Sequence, residues 1–422
     1  MDVRRTTQNS APGRVIQPPV HARPVAGVAF RVEPFGAVAY VGERDDFFAL
    51  DRDHAALLGD VLARGPVAVA GAVADQARTL AALGMLRTEP PTAQRPHLGR
   101  SLVGALTELP RLSGPLVVNC FSTANCPLRC AYCHADDLMA PAKAGERWSD
   151  VAAVLRTADQ VPALVAVVTG GDPIVAPERA SWLLGRLAPG KRLVLDTSGA
   201  GDLGPLLPAL RRHRAHVRIS VDSADAAVHD RLRPTSPRAL PRGASSHALA
   251  HAALLRLAEA GVAHSVQTVV GGHNEAAGML RRLRDHLIGL GVRHWVLHMA
   301  VPAGKAERRP GLLPGPDIAA QLRDLVDESE AAGSPLDIRV TGARSAPNSV
   351  LLVDSRGHLC VQRPDGPGKE VIWPAGRDGG PEQMSSCLNR HVDWAGHASR
   401  YLNGTLEPDP QLVPLGTQPR GR

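Results

Sequence analysis

The 422-residue sequence is 44% hydrophobic but only 3% aromatic, enough for one large core or two to three domains built mainly from Ala, Val and Leu. Its formal charge of +7 is carried mostly by arginines scattered along the chain, without the basic clusters interleaved with aromatics of a dedicated nucleic-acid protein, and no run of about 18 apolar residues offers a membrane span. The N-terminus has no apolar signal core, and four of the six cysteines fall between positions 120 and 133, which suits a metal site in a reducing compartment rather than a disulfide scaffold; a cytoplasmic location is expected.

Residues 1–26, rich in Pro, Arg, Gln and Thr, read as a disordered tail. Three short strands at 28–34, 36–41 and 46–50 precede helical patterns at 51–64 and 72–87, giving a small α+β module over 27–95. A Pro-rich linker leads through 96–114. From 115 to 332 the pattern becomes regular. Apolar strands at 115–121, 163–169, 192–197, 216–222, 264–270 and 294–300 are each followed by a helical pattern, the last ending near 333. Strands that read as apolar runs are covered on both faces, so the sheet is expected to be parallel, with right-handed crossovers. Six units are too few for a closed eight-stranded barrel and predict an open (β/α)6 one. Residues 333–403 read as a β-rich extension with a helix near its end, and 404–422 as a tail.

The chemistry concentrates where Cys126, Cys130 and Cys133 follow the first strand of the array. A loop there sits at the C-terminal mouth of such a barrel. Three thiolates can hold three irons of a cubane and leave the fourth iron open. A structural zinc site completed by Cys120 or His134 is the alternative.

The CxxxCxxC spacing, with Tyr132 just before the third cysteine, resembles the signature of the radical S-adenosylmethionine (SAM) superfamily, over roughly residues 115–310. The resemblance implies one [4Fe–4S] cluster on Cys126, Cys130 and Cys133. SAM would chelate its open iron and be cleaved reductively to a 5′-deoxyadenosyl radical. Gly170-Gly171-Asp172-Pro173, ending the second strand, resembles the family's GGEP motif for the SAM amino group, with Asp in place of Glu. Asp196 and Ser198 match polar strand ends that touch the SAM ribose. Ser220-Val221-Asp222-Ser223 followed by His229-Asp230-Arg231-Leu232-Arg233 looks like the SxDG…HDxxR pattern of the peptide-modifying branch, with Ser223 in place of Gly. It implies Ser220 and Arg233 on the SAM carboxylate. Val269-Val270, ending the fifth strand, are expected to line the adenine pocket, with plain core valines as the alternative.

Phe35-Gly36, Phe47-Phe48-Ala49-Leu50 and the 80–86 segment resemble the leader-binding winged helix of enzymes that modify ribosomally made peptides; a dimerisation or barrel-capping domain is the alternative. The extension is similar in layout to the one called SPASM, but Cys360 and Cys387 are too few for an auxiliary four-cysteine cluster. These two thiols and His298 are the catalytic candidates among the remaining residues. The expected partners are a precursor peptide and an electron donor such as flavodoxin or ferredoxin, with no nucleic acid and no membrane. A radical SAM enzyme acting on a small metabolite and a non-catalytic Fe–S or zinc protein that binds peptides stand as alternatives.

Overall fold

A computed structural model describes residues 19–92, 102–139, 145–276, 278–341, 348–363 and 368–402. The expected tails lie outside the described residues except for 19–26, as does the linker stretch 96–101.

The N-terminal part comprises β1 (Val20–Pro24), β2 (Val28–Glu33), β3 (Gly36–Val41), β4 (Asp46–Asp51), α1 (Arg52–Arg64), β5 (Val67–Val69), α2 (Gly71–Ala82), β6 (Leu86–Glu89) and β7 (Leu102–Val103). β1 falls within the stretch expected to be a tail. Its alternation buries Val20 and Ala22, and it pairs antiparallel with both β5 and β6, so backbone and side chains alike are satisfied. Asp51 caps α1 by accepting from the His54 amide, and Gly65 ends that helix at a φ of 85°.

The module expected over 27–95 is therefore not one detached unit. The β5-β1-β6 sheet is separate from the β2-β3-β4-β7 sheet, and β2–β4 are threaded into the chain between β1 and α1. Period two explains how β3 and β4 can be buried throughout. Ala37, Ala39, Val41, Phe48 and Leu50 face α1 and α2. Val38, Tyr40, Phe47 and Ala49 face the other way, onto Leu116, Val117, Val165, Val167 and Val194 at the start of the next domain's strands. On this side the second sheet packs against the first residues of the parallel strands.

The main domain contains β8 (Val117–Thr123), α3 (Trp148–Gln160), β9 (Val165–Gly170), α4 (Pro177–Leu187), β10 (Arg192–Thr197), α5 (Leu207–His213), β11 (His216–Ser220), α6 (Ala226–Leu232), α7 (Ser246–Glu259), β12 (His264–Val270), α8 (Met279–Gly289), β13 (His294–Met299) and α9 (Ile318–Ala331). It continues into β14 (Asp337–Thr341), β15 (Leu352–Val353), β16 (Leu359–Gln362), β17 (Lys369–Trp373), α10 (Pro381–His391) and α11 (Trp394–Leu402). β8 to β13 are parallel neighbours in chain order, as the six-unit reading predicts. β14 adds a seventh parallel strand beyond β13, so the array runs past the expected boundary at 332. β15 pairs parallel with β8, and β16 and β17 follow antiparallel, giving a ten-stranded sheet that does not close.

Alternation along the strands separates core from cavity. On β10 and β11, Leu193, Leu195, Val217 and Ile219 pack under the helices. Asp196, Arg218 and Ser220 point into the lumen between them. Cys120, one step out of register with the lumen, is a core residue on β8.

Candidate active site

Cys126, Cys130 and Cys133 are partly exposed free thiols on the loop after β8, and all three line a cavity of about 390 Å³ at the C-terminal ends of the strands. That volume suits a nucleoside-sized ligand. Three segments hold the loop. The chain after α6 runs alongside it: Arg129 N–H donates to Pro234 O at 2.8 Å, Ala131 N–H to Leu232 O at 2.8 Å, and Ser236 N–H to Pro127 O at 2.7 Å. The turn after β13 closes from the far side, with Lys305 N–H on Cys133 O at 3.0 Å.

The third support is the Gly-Gly-Asp segment ending β9. Gly171 N–H donates to Thr123 O and Asp172 N–H to Asn125 O, each at 2.8 Å. A Cβ at Gly170 would lie 2.2 Å from Thr123 O, and one at Gly171 would lie 2.0 Å from Asn125 O. The two glycines therefore permit close approach to the backbone that leads into Cys126.

Asp172 is buried, and its oxygens are taken. Oδ1 accepts from Thr197 Oγ1 at 2.6 Å and Ile174 N at 3.1 Å; Oδ2 accepts from Ser198 N at 2.9 Å and Ser198 Oγ at 2.5 Å. Burial pushes its carboxyl up, against the pull of these bonds. Asp172 braces β9 to β10, and Pro173 starts the 3-10 turn behind it.

Arg233 is a buried residue, not a surface one. Its Nε donates to Asp222 Oδ2 at 2.6 Å, Nη1 lies 4.0 Å from Cys130 Sγ, and its Cζ sits 5.4 Å from the centre of the Tyr132 ring. Tyr132 donates its hydroxyl to the same Asp222 oxygen, and its ring stacks on His273 at 5.4 Å. Val269 N–H also donates to Asp222, at 3.1 Å. Burial would raise the Asp222 carboxyl, but Arg233 outweighs it and holds the group at about 2, so the pair is ionic. Ser220 accepts from Gln267 Nε2 at 3.3 Å on the lumen face.

Burial raises all three thiols, Cys130 to about 11, so without metal they are protonated at neutral pH and loading must displace protons. Three free thiols on one loop beside an open cavity are a donor set that suits a cubane with one iron left open, whereas a structural zinc site takes four protein ligands.

Of the other residues singled out in the sequence, Asp196, Ser198 and His298 line the cavity. Val270 does not: it is buried in the helix-side core, and its neighbour Val269 lines the cavity instead. Cys360 packs with Phe121 and Leu352, and Cys387 bonds to Ile372 O at 3.2 Å on α10; neither lines the cavity. Glu146 carries no motif, yet it accepts from Thr123 Oγ1 at 2.8 Å and from the Ala124 amide, and it pairs with Arg179 at 3.3 Å. It fixes the end of β8 just ahead of Cys126.

Residues 121–287 match the Radical SAM superfamily. The chain thus carries a radical SAM domain, the domain type that works with a [4Fe–4S] cluster and SAM. In fold it is similar to Streptococcus suis SuiB bound to precursor peptide SuiA, at 13% identity and a TM-score of 0.50, over 80% of this chain and 82% of that one. It is also similar to anSMEcpe with bound AdoMet and Cp18Cys peptide, at 14% identity and a TM-score of 0.50, over 69% and 84%. A search of curated proteins gives no match. Among the described residues, no helix is long and apolar enough to cross a membrane.

Proposed function

We propose that this radical SAM enzyme modifies a peptide, with Cys126, Cys130 and Cys133 holding one [4Fe–4S] cluster over the cavity. The observation that carries the reading is the convergence on one cavity at the strand ends of three thiols and of Arg233, which Asp222 holds from behind the lining. When bound, the cluster and SAM supply a 5′-deoxyadenosyl radical that takes a hydrogen atom from the substrate. The protein's part is to bind and orient. Arg233 and Ser220 receive the SAM carboxylate, the Gly170-Gly171 backbone the amino group, and Asp196 with Ser198 the ribose. Asp172 acts through Ser198 and Thr197, and Val269 borders the base. The electron for that chemistry would come from a carrier such as flavodoxin or ferredoxin.

A peptide is favoured over a small metabolite because two solved structures of similar fold, SuiB and anSMEcpe, hold bound peptides. Among the described residues β5 and β6 are the outer strands of their sheet, and an extended peptide can add to such an edge as a further strand.

Anaerobically reconstituted protein should hold about four irons per chain and release 5′-deoxyadenosine from SAM with a strong reductant. The Cys126→Ala/Cys130→Ala/Cys133→Ala variant should lose both. A short peptide encoded beside the gene should speed that release and emerge with altered mass. No response to the peptide, alongside a response to a small metabolite, rejects the peptide assignment.

Arg233→Lys keeps a cation beside Asp222 but loses the planar fork. SAM dissociation from cluster-loaded protein should rise roughly tenfold at unchanged iron content. Unaltered SAM affinity would mean that Arg233 serves only Asp222.

A further inference from the structure

Outside the cavity, three histidines meet between two barrel helices. His247 and His251 lie one turn apart on α7, and His286 comes from α8. His286 Nε2 is 3.0 Å from His251 Nε2, and the ring centres are 3.9 Å apart for His247–His251 and 4.6 Å for His251–His286. One ring nitrogen from each falls within 4.8 Å of the other two.

The His247 Nε2 is buried and has no hydrogen-bond partner among the described residues. The residue is 8% exposed, so this nitrogen is withheld from water. A buried polar atom left unmatched is costly, and a metal ion would supply the missing partner.

We propose that His247, His251 and His286 form a binding site for a divalent first-row transition metal of the zinc class, clamping α7 to α8. Three imidazoles suit Zn(II), with water at the fourth position. The metal takes up the orphaned His247 nitrogen and replaces the hydrogen bond between His251 and His286; one of those rings shifts its proton to the other nitrogen, and none is lost. The site is separate from the cysteine loop. His229 stands between them, its ring 5.5 Å from His247 and its Nδ1 accepting from the Asp222 amide at 3.2 Å.

Zinc alone is the probe, in equilibrium dialysis with metal analysis on full-length protein. Cluster-loaded protein should take up about one zinc per chain beside its irons. The triple cysteine-to-alanine variant should still take it up, since its cysteine loop can hold no metal. His251→Gln/His286→Gln should weaken zinc binding by at least about 100-fold with iron content unchanged. Full zinc binding by the histidine variant overturns the proposal. So does a triple-cysteine variant that binds no zinc, a result that needs no histidine variant to fold. An unsubstituted protein that takes up zinc but holds no iron after reconstitution would instead count against the cluster assignment alone.

Discussion

Asp45→Asn should destabilise the protein by about 3–5 kcal/mol, because it strips a buried arginine of its main counter-charge. Asp45 sits in the turn between β3 and β4 and is 1% exposed. Its carboxylate meets Arg218 Nε at 2.5 Å and Nη2 at 2.9 Å, and accepts the Tyr40 hydroxyl at 2.8 Å. Burial would raise its carboxyl, but Arg218 drives it far below the usual range. Arg218 is on β11, lines the cavity and keeps only Asp196, at 3.4 Å, when Asp45 is neutral. Asparagine is the right probe because the residue has a φ of 57°, a left-handed conformation that Asn tolerates as well as Asp. The expected result is a lower denaturant midpoint at unchanged slope. Pairing it with Arg218→Met should recover part of the loss, since the orphaned charge goes as well. A shift below about 1 kcal/mol would mean that the pair is hydrated and contributes as little as a surface bridge. The same geometry predicts that a chain beginning near residue 100 does not fold, because it exposes the barrel-floor face of Leu116, Val117, Val165 and Val167 along with Arg218. Peptide recognition by the N-terminal part is therefore tested by point changes on β5 or β6.

What could be read from the sequence was local. Three cysteines within eight positions, a glycine pair at a strand end and six repeats of strand and helix are patterns of near neighbours, and they located the cavity mouth. Long-range partnerships left no such mark. The segment around Asp45 reads as an ordinary polar turn, because Arg218 lies 173 positions away. Strand β1 is too short, and its Pro-rich neighbourhood too polar, to stand out before β5 and β6 pair with it. β14 reads as part of the extension because only its pairing with β13 makes it a barrel strand. Asp172 carries a motif, but its role depends on the two hydroxyls at 197 and 198 that saturate it. His247 and His251 are spaced for one helix face, yet the third histidine is 35 positions beyond His251.

Gly171→Ala should empty the cysteine loop of iron while leaving the barrel folded. The added Cβ would stand 2.0 Å from Asn125 O and 2.8 Å from the carbonyl carbon of Ala124. Both are backbone atoms, so no side chain can swing aside, and the strand-end segment has to part from the cysteine loop. That separation breaks the hydrogen bonds from Gly171 to Thr123 O and from Asp172 to Asn125 O, and Asn125 directly precedes Cys126. The cost of such overpacking is about 1–3 kcal/mol, small against a barrel core of this size. A ligand set is far less forgiving, because one misplaced thiol leaves an iron without its protein ligand. Reconstituted Gly171→Ala should therefore carry fewer than about one iron per chain against about four for the parent, with far-UV circular dichroism unchanged and no 5′-deoxyadenosine formed. Gly190→Ala is the matched control: a Cβ there meets nothing within 4 Å, and iron loading should be normal. Full iron loading in Gly171→Ala would show that the loop reaches its working geometry without contact from the β9 end.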